Sequence, residues 1–205
     1  MKYTGPKAKR CRRQGTNLYG SDKYDKILQR KPQLPGKGPR DRAGRRSEYA
    51  QQLIEKQKMR DIYGLSERQF RSIYDRAAKT AGQTGEVMQQ LLERRLDNAL
   101  YRAGFAMTRM QARQFASHGL FFVDGVRVTS PSFLLKVGQK ITPRPRSKTS
   151  PVFVSIAAAH DKYLPPAWMK VNGAGMEIEI LSLPAPDKTE QVVDIRQVIE
   201  FYSRN

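Results

Sequence analysis

The feature that most limits what this chain can fold into is where its positive charge lies. Residues 1–46 hold 15 Lys and Arg against 3 Asp and Glu, residues 47–150 hold 18 against 9, and residues 151–205 hold 5 against 7. Of a net charge of +19, therefore, +12 sits ahead of residue 47, and the last stretch is slightly acidic at −2. Like charge at that density opposes compaction unless a polyanion screens it. The first two zones read as a nucleic-acid face and the last as packing or protein contact.

An acidic membrane would also attract a basic chain. No run, however, approaches the ~20 apolar residues of a spanning helix, and the amino end carries no apolar signal region. A soluble, intracellular protein with no membrane partner is expected. With 205 residues the chain fits one large domain or two small ones. A single cysteine, Cys11, makes neither an internal disulfide nor, alone, a structural zinc site.

Residues 1–46 are poor in large aliphatic side chains and broken by Gly5, Pro6, Gly15, Gly20, Pro32, Pro35, Gly36, Gly38, Pro39 and Gly44. Such a stretch buries little, so an irregular extension is expected. Composition fits a segment that orders on a phosphate surface and a merely disordered basic tail equally well.

From Ser47 the pattern turns helical. Tyr49, Leu53, Ile54 and Ile62 mark one helix ending at Gly64. Ser66 and Gln69 form a capping box for a second, with Phe70, Ile73, Tyr74, Ala77 and Ala81 on its apolar face and Gly82 as its stop. A third runs from about Thr84 to Gly104 and buries Val87, Leu91, Leu92, Leu96, Ala99, Leu100 and Ala103. Thr108 and Gln111 cap a short fourth that buries Ala112, Phe115 and Ala116 and ends at Gly119. Then the period changes: Leu120 to Val123 read as a strand, Asp124-Gly125 as a hairpin turn, Val126 to Val128 as its partner, and Gln139 to Thr142 as a further strand. Beyond Ser150-Pro151 the sequence predicts a helix over 152–160, a half-buried strand over 176–183, and a last helix capped by Asp194.

The sharpest functional signal lies in Leu92-Glu93-Arg94-Arg95-Leu96-Asp97-Asn98, Ala103-Gly104-Phe105 and Thr108-Arg109-Met110-Gln111-Ala112-Arg113-Gln114. On one continuous helix Arg95, Asn98 and Arg102 share a face, and Arg109 and Arg113 are neighbours on the next. The amino end of that next helix offers backbone N–H groups to a phosphate. Two helices would thus present a guanidinium wall suited to the backbone of folded RNA. For any one of these arginines a solvated charged face is the better reading; for the set, binding is.

At these residues the chain resembles a known family. Leu92 to about Arg146, with His118-Gly119 and Val123-Asp124-Gly125-Val126-Arg127-Val128, is similar to the RNA-binding module named after ribosomal protein S-four, which also occurs fused to pseudouridine synthases, to a tyrosyl-tRNA synthetase and in small heat-shock RNA-binding proteins. Further stretches resemble the bacterial-type family of small-subunit ribosomal protein four along nearly the whole chain. They are Tyr3-Thr4-Gly5-Pro6-Lys7, Ser47-Glu48-Tyr49, Gln57-Lys58-Met59-Arg60, Ile62-Tyr63-Gly64, Glu67-Arg68-Gln69-Phe70 and Ile199-Glu200-Phe201-Tyr202-Ser203-Arg204. Many members carry four amino-terminal cysteines that bind zinc. Here Ala8 stands at the first position, Cys11 at the second and none follows, so no metal and no cofactor is expected.

The resemblance implies an α+β protein: a helical domain plus a small helix-helix-antiparallel-sheet RNA-binding module, with a basic irregular amino-terminal extension. Its segments would be the extension 1–46, a helical domain 47–91 joined by the carboxyl-terminal helix 194–204, the module 92–147, and a mixed segment 148–193 packing on it. It further implies a cytoplasmic ribosomal protein, an organellar ribosome also being compatible. Such a protein has no catalysis, nucleates assembly of the subunit body on the small-subunit rRNA and influences accuracy. Its other partners would be small-subunit ribosomal protein five and mRNA where it enters the ribosome.

The candidate RNA-binding residues are Lys7, Lys9, Arg10, Arg12, Arg13, Arg45, Arg46, Arg94, Arg95, Asn98, Arg102, Thr108, Arg109, Gln111, Arg113, Gln114 and His118. Among single residues, Asp97 is expected to orient Arg94 or Arg95, and Trp168 to pack in a loop. Cys11, amid four cations, is either a chance remnant or a thiol of lowered pKa. An RNA-modifying enzyme targeted by the same module, and a free-standing RNA chaperone or mRNA-binding regulator, are the competing classes.

Overall fold

A computed structural model describes residues 3–36, 38, 44, 47–160, 163–173, 175–185 and 192–204. Among them the chain forms two compact units, Met1–Gly85 with Glu190–Asn205, and Glu86–Thr189.

In the first unit the expected irregular extension is corrected. Residues Lys7–Gln14 form helix α1 and Asp22–Arg30 form α2. A few side chains account for this order where composition promised none: Cys11 and Leu18 are both buried, and Tyr19 lies against Tyr24 with ring centroids 5.5 Å apart. Helix α3 spans Glu48–Ile62, with the Ser47 hydroxyl accepting from the Ala50 amide, and α4 spans Glu67–Ala78 behind the complete Ser66/Gln69 capping box. The carboxyl-terminal helix α10, Ile195–Ser203, packs on α3. There Gln52 donates to Glu200 at 3.0 Å and Arg204 to Glu48 at 2.8 Å. Val198, Phe201 and Tyr202 join Met59, Ile62, Leu65 and Phe70 among the buried apolar side chains of this unit.

In the second unit the long third helix is broken. Helix α5 covers Thr84–Glu93 and α6 covers Leu96–Arg102. Arg95 between them is extended (φ −67°, ψ 139°) and bridges Leu134. The Leu96 amide donates to Phe133 O at 2.9 Å and the Leu135 amide to Arg94 O at 2.9 Å. No glycine or proline marks this break: a strand-like pairing with residues 131–135 satisfies the backbone where the helix would have done so.

Helix α7, Arg109–Ser117, follows, and then the sheet: β1 Phe121–Val123, β2 Val126–Arg127 and β3 Lys140–Pro143. After α8, Pro145–Lys148, and α9, Pro151–Ala159, come β4 Met169–Asn172 and β5 Glu177–Ile180. All pairs are antiparallel, in the order β2-β1-β3-β5-β4. Strand β4 had no signal in the sequence reading. The β1–β2 turn is left-handed at both Asp124 (φ 50°) and Gly125 (φ 81°), the geometry an Asp-Gly pair favours in a two-residue hairpin. Asp124 also accepts from the Lys140 amide at 2.8 Å, which ties the turn to β3.

The core of this unit gathers Leu96, Leu100 and Phe105 from the helical side with Phe121, Ile141, Ile178 and Ile180 from the sheet. Trp168 is buried in the turn before β4, as a packing residue. Phe121 has no exposed surface and stacks on Phe105, centroids 6.1 Å apart. Replacing Phe121 with Ala should destabilise the protein by roughly 3–5 kcal/mol. The check is a urea unfolding midpoint; a change under about 1 kcal/mol would mean that the ring is not enclosed as described.

Candidate nucleic-acid interface

The geometry around α6 departs from a simple exposed wall. Because the helix breaks before Leu96, Arg95, Asn98 and Arg102 do not share one solvent face. Arg95 is 4 % exposed and donates through Nε and Nη2 to the two oxygens of Asp97, both at 3.1 Å. Asp97 therefore orients Arg95, one of its two expected partners.

Glu93, with no exposed surface, receives Arg102 in the same bidentate way at 2.9 and 3.0 Å, and the Asn98 amide nitrogen at 2.7 Å. Asn98 is itself only 2 % exposed, so as a direct RNA contact it is corrected to an internal residue. Its carbonyl oxygen accepts from Arg109 Nε at 2.8 Å, and the Arg109 guanidinium lies 4.4 Å over the Tyr101 ring. Arg113, one turn further along α7, approaches Asp97 at 3.9 Å. Two buried carboxylates thus anchor three arginines directly, and Asn98 links a fourth, Arg109, to Glu93. The cluster turns several of its guanidinium groups inward and still carries more positive than negative charge.

The other expected residues divide by environment. Arg94 is half-buried and donates to Leu135 O at 2.8 Å. Thr108 caps α7 by accepting from the Gln111 amide at 3.3 Å, while the Gln111 side chain accepts from Met107 N at 2.8 Å rather than from the cap residue. Gln114 and His118 are exposed, and the His118 carbonyl accepts from Arg127 at 3.2 Å.

In the first unit, Lys9 and Arg13 are exposed, and Lys7 sits 5.9 Å over the Tyr19 ring. Arg10 pairs with Asp61 and stacks on Tyr3 at 3.4 Å. Arg12 donates to Lys31 O at 3.1 Å and Gln33 O at 2.8 Å, serving backbone carbonyls of its own chain. Arg45 and Arg46 lie outside the described residues. The helix-based reading missed Arg127, Lys140, Arg146 and Lys148, all exposed in the second unit. The signal was available for Arg127, since the Asp124-Gly125 turn sets it opposite Phe122.

The thiol of lowered pKa is also corrected: Cys11 is buried, and desolvation pushes its pKa up. Among the described residues no group of His, Cys, Asp or Glu is arranged to hold a metal ion, and no helix is long and apolar enough to cross a membrane.

This α+β arrangement defines a protein built around an S4 domain: residues 94–141 match the S4 domain model, and residues 2–93 match the model of the ribosomal protein S4/S9 N-terminal domain. The chain is 42 % identical over 202 residues to small ribosomal subunit protein uS4 of Treponema denticola, covering 98 % of this chain and 97 % of the relative. Against the protein of the same name from Roseiflexus sp. (strain RS-1) the identity is 41 % over 206 residues, covering 99 % of each. For Borreliella burgdorferi (strain ZS7) it is 39 % over 199 residues, covering 97 % of this chain and 96 % of the relative. The chain belongs to the family of small ribosomal subunit protein uS4.

Two substitutions check the electrostatics. Arg95→Ala leaves Asp97 buried without its bidentate partner and should cost about 3–5 kcal/mol, read as a lowered urea midpoint. An unchanged midpoint would mean that Asp97 finds another counter-charge. This variant is therefore unsuitable as a pure binding mutant.

The second concerns Glu67. Burial raises its pKa, but hydrogen bonds from Lys56 and Tyr202 and the charge of Lys56 outweigh that effect, and the net direction is down. A depressed folded pKa contributes stability above the ordinary carboxylate range that is lost as pH falls through the lowered value. The wild type should accordingly lose stability on acidification more steeply than Glu67→Gln, measured as urea midpoints from neutral pH to below the carboxylate range. Parallel profiles would refute the assignment.

Proposed function

We propose that this chain is a structural constituent of the small ribosomal subunit that binds small-subunit rRNA, helps nucleate assembly of the subunit body, and contributes to translational accuracy. The observation that carries the reading is the near-complete, two-sided coverage between this chain and small ribosomal subunit proteins. The charge zoning supports it, since the residues before 151 carry a net +21 and the remainder −2.

On the module, RNA contact is assigned to the α7 face, with Arg109, Arg113, Gln114 and His118, and to the exposed cations Arg127, Lys140, Arg146 and Lys148. Arg102 and Arg94 support that surface. On the first unit, Lys9 and Arg13 are the readiest contacts with phosphate, since Arg10 and Arg12 are committed to Asp61 and to backbone carbonyls. Lys7, Arg45 and Arg46 extend the same basic segment.

No catalytic step is assigned. Glu93 and Asp97, the carboxylates inside the basic cluster, each bind an arginine through both oxygens, an arrangement suited to fixing guanidinium groups rather than to moving protons. Ribosomal protein five of the small subunit and mRNA where it enters the ribosome are proposed as neighbours, and the cytoplasmic ribosome as the location.

The protein should co-sediment with small subunits at physiological salt. It should also bind an rRNA body fragment more tightly than random RNA of equal length, with log K falling by about 0.7–0.9 per phosphate contact for each unit of log salt. Equal affinity for the two RNAs would favour a general RNA chaperone, and turnover of uridine in an rRNA pseudouridylation assay would favour the enzyme.

A further inference from the structure

We infer that Asn98 is a positioning residue for RNA binding: sealed from solvent, it relays the fixed orientation of the Glu93 carboxylate to the guanidinium of Arg109 on the α7 face. The inference rests on the rRNA-binding reading above and specifies how that site is held in shape.

The chemistry of the partners fixes which way the Asn98 amide faces. Glu93 as a carboxylate only accepts, so the group 2.7 Å from its Oε2 must be the Asn98 NH2. A guanidinium only donates, so the atom 2.8 Å from Arg109 Nε must be the Asn98 carbonyl oxygen. Both ends of the amide are therefore used, and a flip would set donor against donor and acceptor against acceptor.

Glu93 cannot swing away, because Arg102 holds both its oxygens, at 2.9 and 3.0 Å. The Asn98 backbone is pinned as well: its amide donates to Asp97 Oδ1 at 3.0 Å. At the far end, Arg109 is gripped at Nε by Asn98 while its face covers Tyr101 at 4.4 Å. That bond and that ring contact help set the guanidinium plane, and a planar guanidinium of fixed orientation suits a phosphate. Pre-set orientation lowers the entropy lost on binding, and this is what the relay would supply.

The role differs from that expected of a buried structural amide, because its effect must travel through Arg109. The test measures affinity for an rRNA body fragment, with the salt slope, for the full-length wild type, Asn98→Ala, Arg109→Ala and the double variant, with thermal melting of each. Arg109→Ala should weaken binding several-fold and reduce the salt slope by about one phosphate contact. Asn98→Ala should lose a comparable factor in affinity, and in the Arg109→Ala background it should lose almost nothing more.

Losses that multiply in the double variant would overturn the relay and leave Asn98 a packing residue. Should Asn98→Ala fail to fold, Arg109→Lys decides instead. It keeps the charge but has no Nε–H to meet Asn98, and it should bind nearly as weakly as Arg109→Ala. Binding at the wild-type level by Arg109→Lys would overturn the inference. Wild-type protein that does not distinguish the rRNA fragment from random RNA would instead refute the functional reading on which this one stands.

Discussion

Taking a carboxylate out of water costs several kcal/mol unless a counter-charge and hydrogen bonds meet it. Glu93 and Asp97, four residues apart and both buried, are where the second unit accepts that cost among its described residues. Each is met by an arginine through two bonds, and the surrounding architecture follows from where those arginines must come from. Arg95 reaches Asp97 from the position just ahead of α6, so the helix cannot run straight through it. The freed backbone is taken up by residues 131–135, which draws the chain between β2 and β3 against the start of α6. Arg102 reaches Glu93 from the end of α6, nine residues on. The same pairs that neutralise the acids therefore set the path of the chain and the facing of α6 and α7.

Much of the fold could be read from local chemistry. The Ser66/Gln69 box, the Thr108 cap, the Asp124-Gly125 turn and the Asp194 cap each stand where the residues indicated, since each is decided by groups within a few positions of one another. What escaped were features decided at long range. Leu92-Glu93-Arg94-Arg95-Leu96 has the apolar spacing of an unbroken helix, and only a partner some forty residues away interrupts it. Helices α1 and α2 escaped for a related reason: their order depends on the burial of Cys11 and Leu18, which a composition poor in aliphatic residues does not advertise.

The site was legible in kind but not in role. Charge density located the cationic surface, yet a one-dimensional count cannot separate a guanidinium facing solvent from one facing Asp97. Arg95 and Asn98 were placed on the surface because helical spacing put them there, and the break turned both inward. Helical spacing says nothing of Arg127, which lies on a strand, although its register opposite Phe122 is fixed by the hairpin. The first unit repeats the lesson in another form. Lys56 is buried, held by Glu67 at 2.9 Å and covered by the Phe201 ring at 4.8 Å, while Tyr202 shares the same carboxylate at 2.7 Å. A lysine in the basic zone is here a core component that joins α3 and α4 to the carboxyl-terminal helix.

Cys11 also sits among cations in the sequence, yet burial pushes its thiol pKa up. Peroxide and mixed-disulfide chemistry both act on an accessible thiolate. The sole sulfhydryl of the chain is both shielded and shifted away from the thiolate form, which disfavours either reaction at the amino-terminal helix.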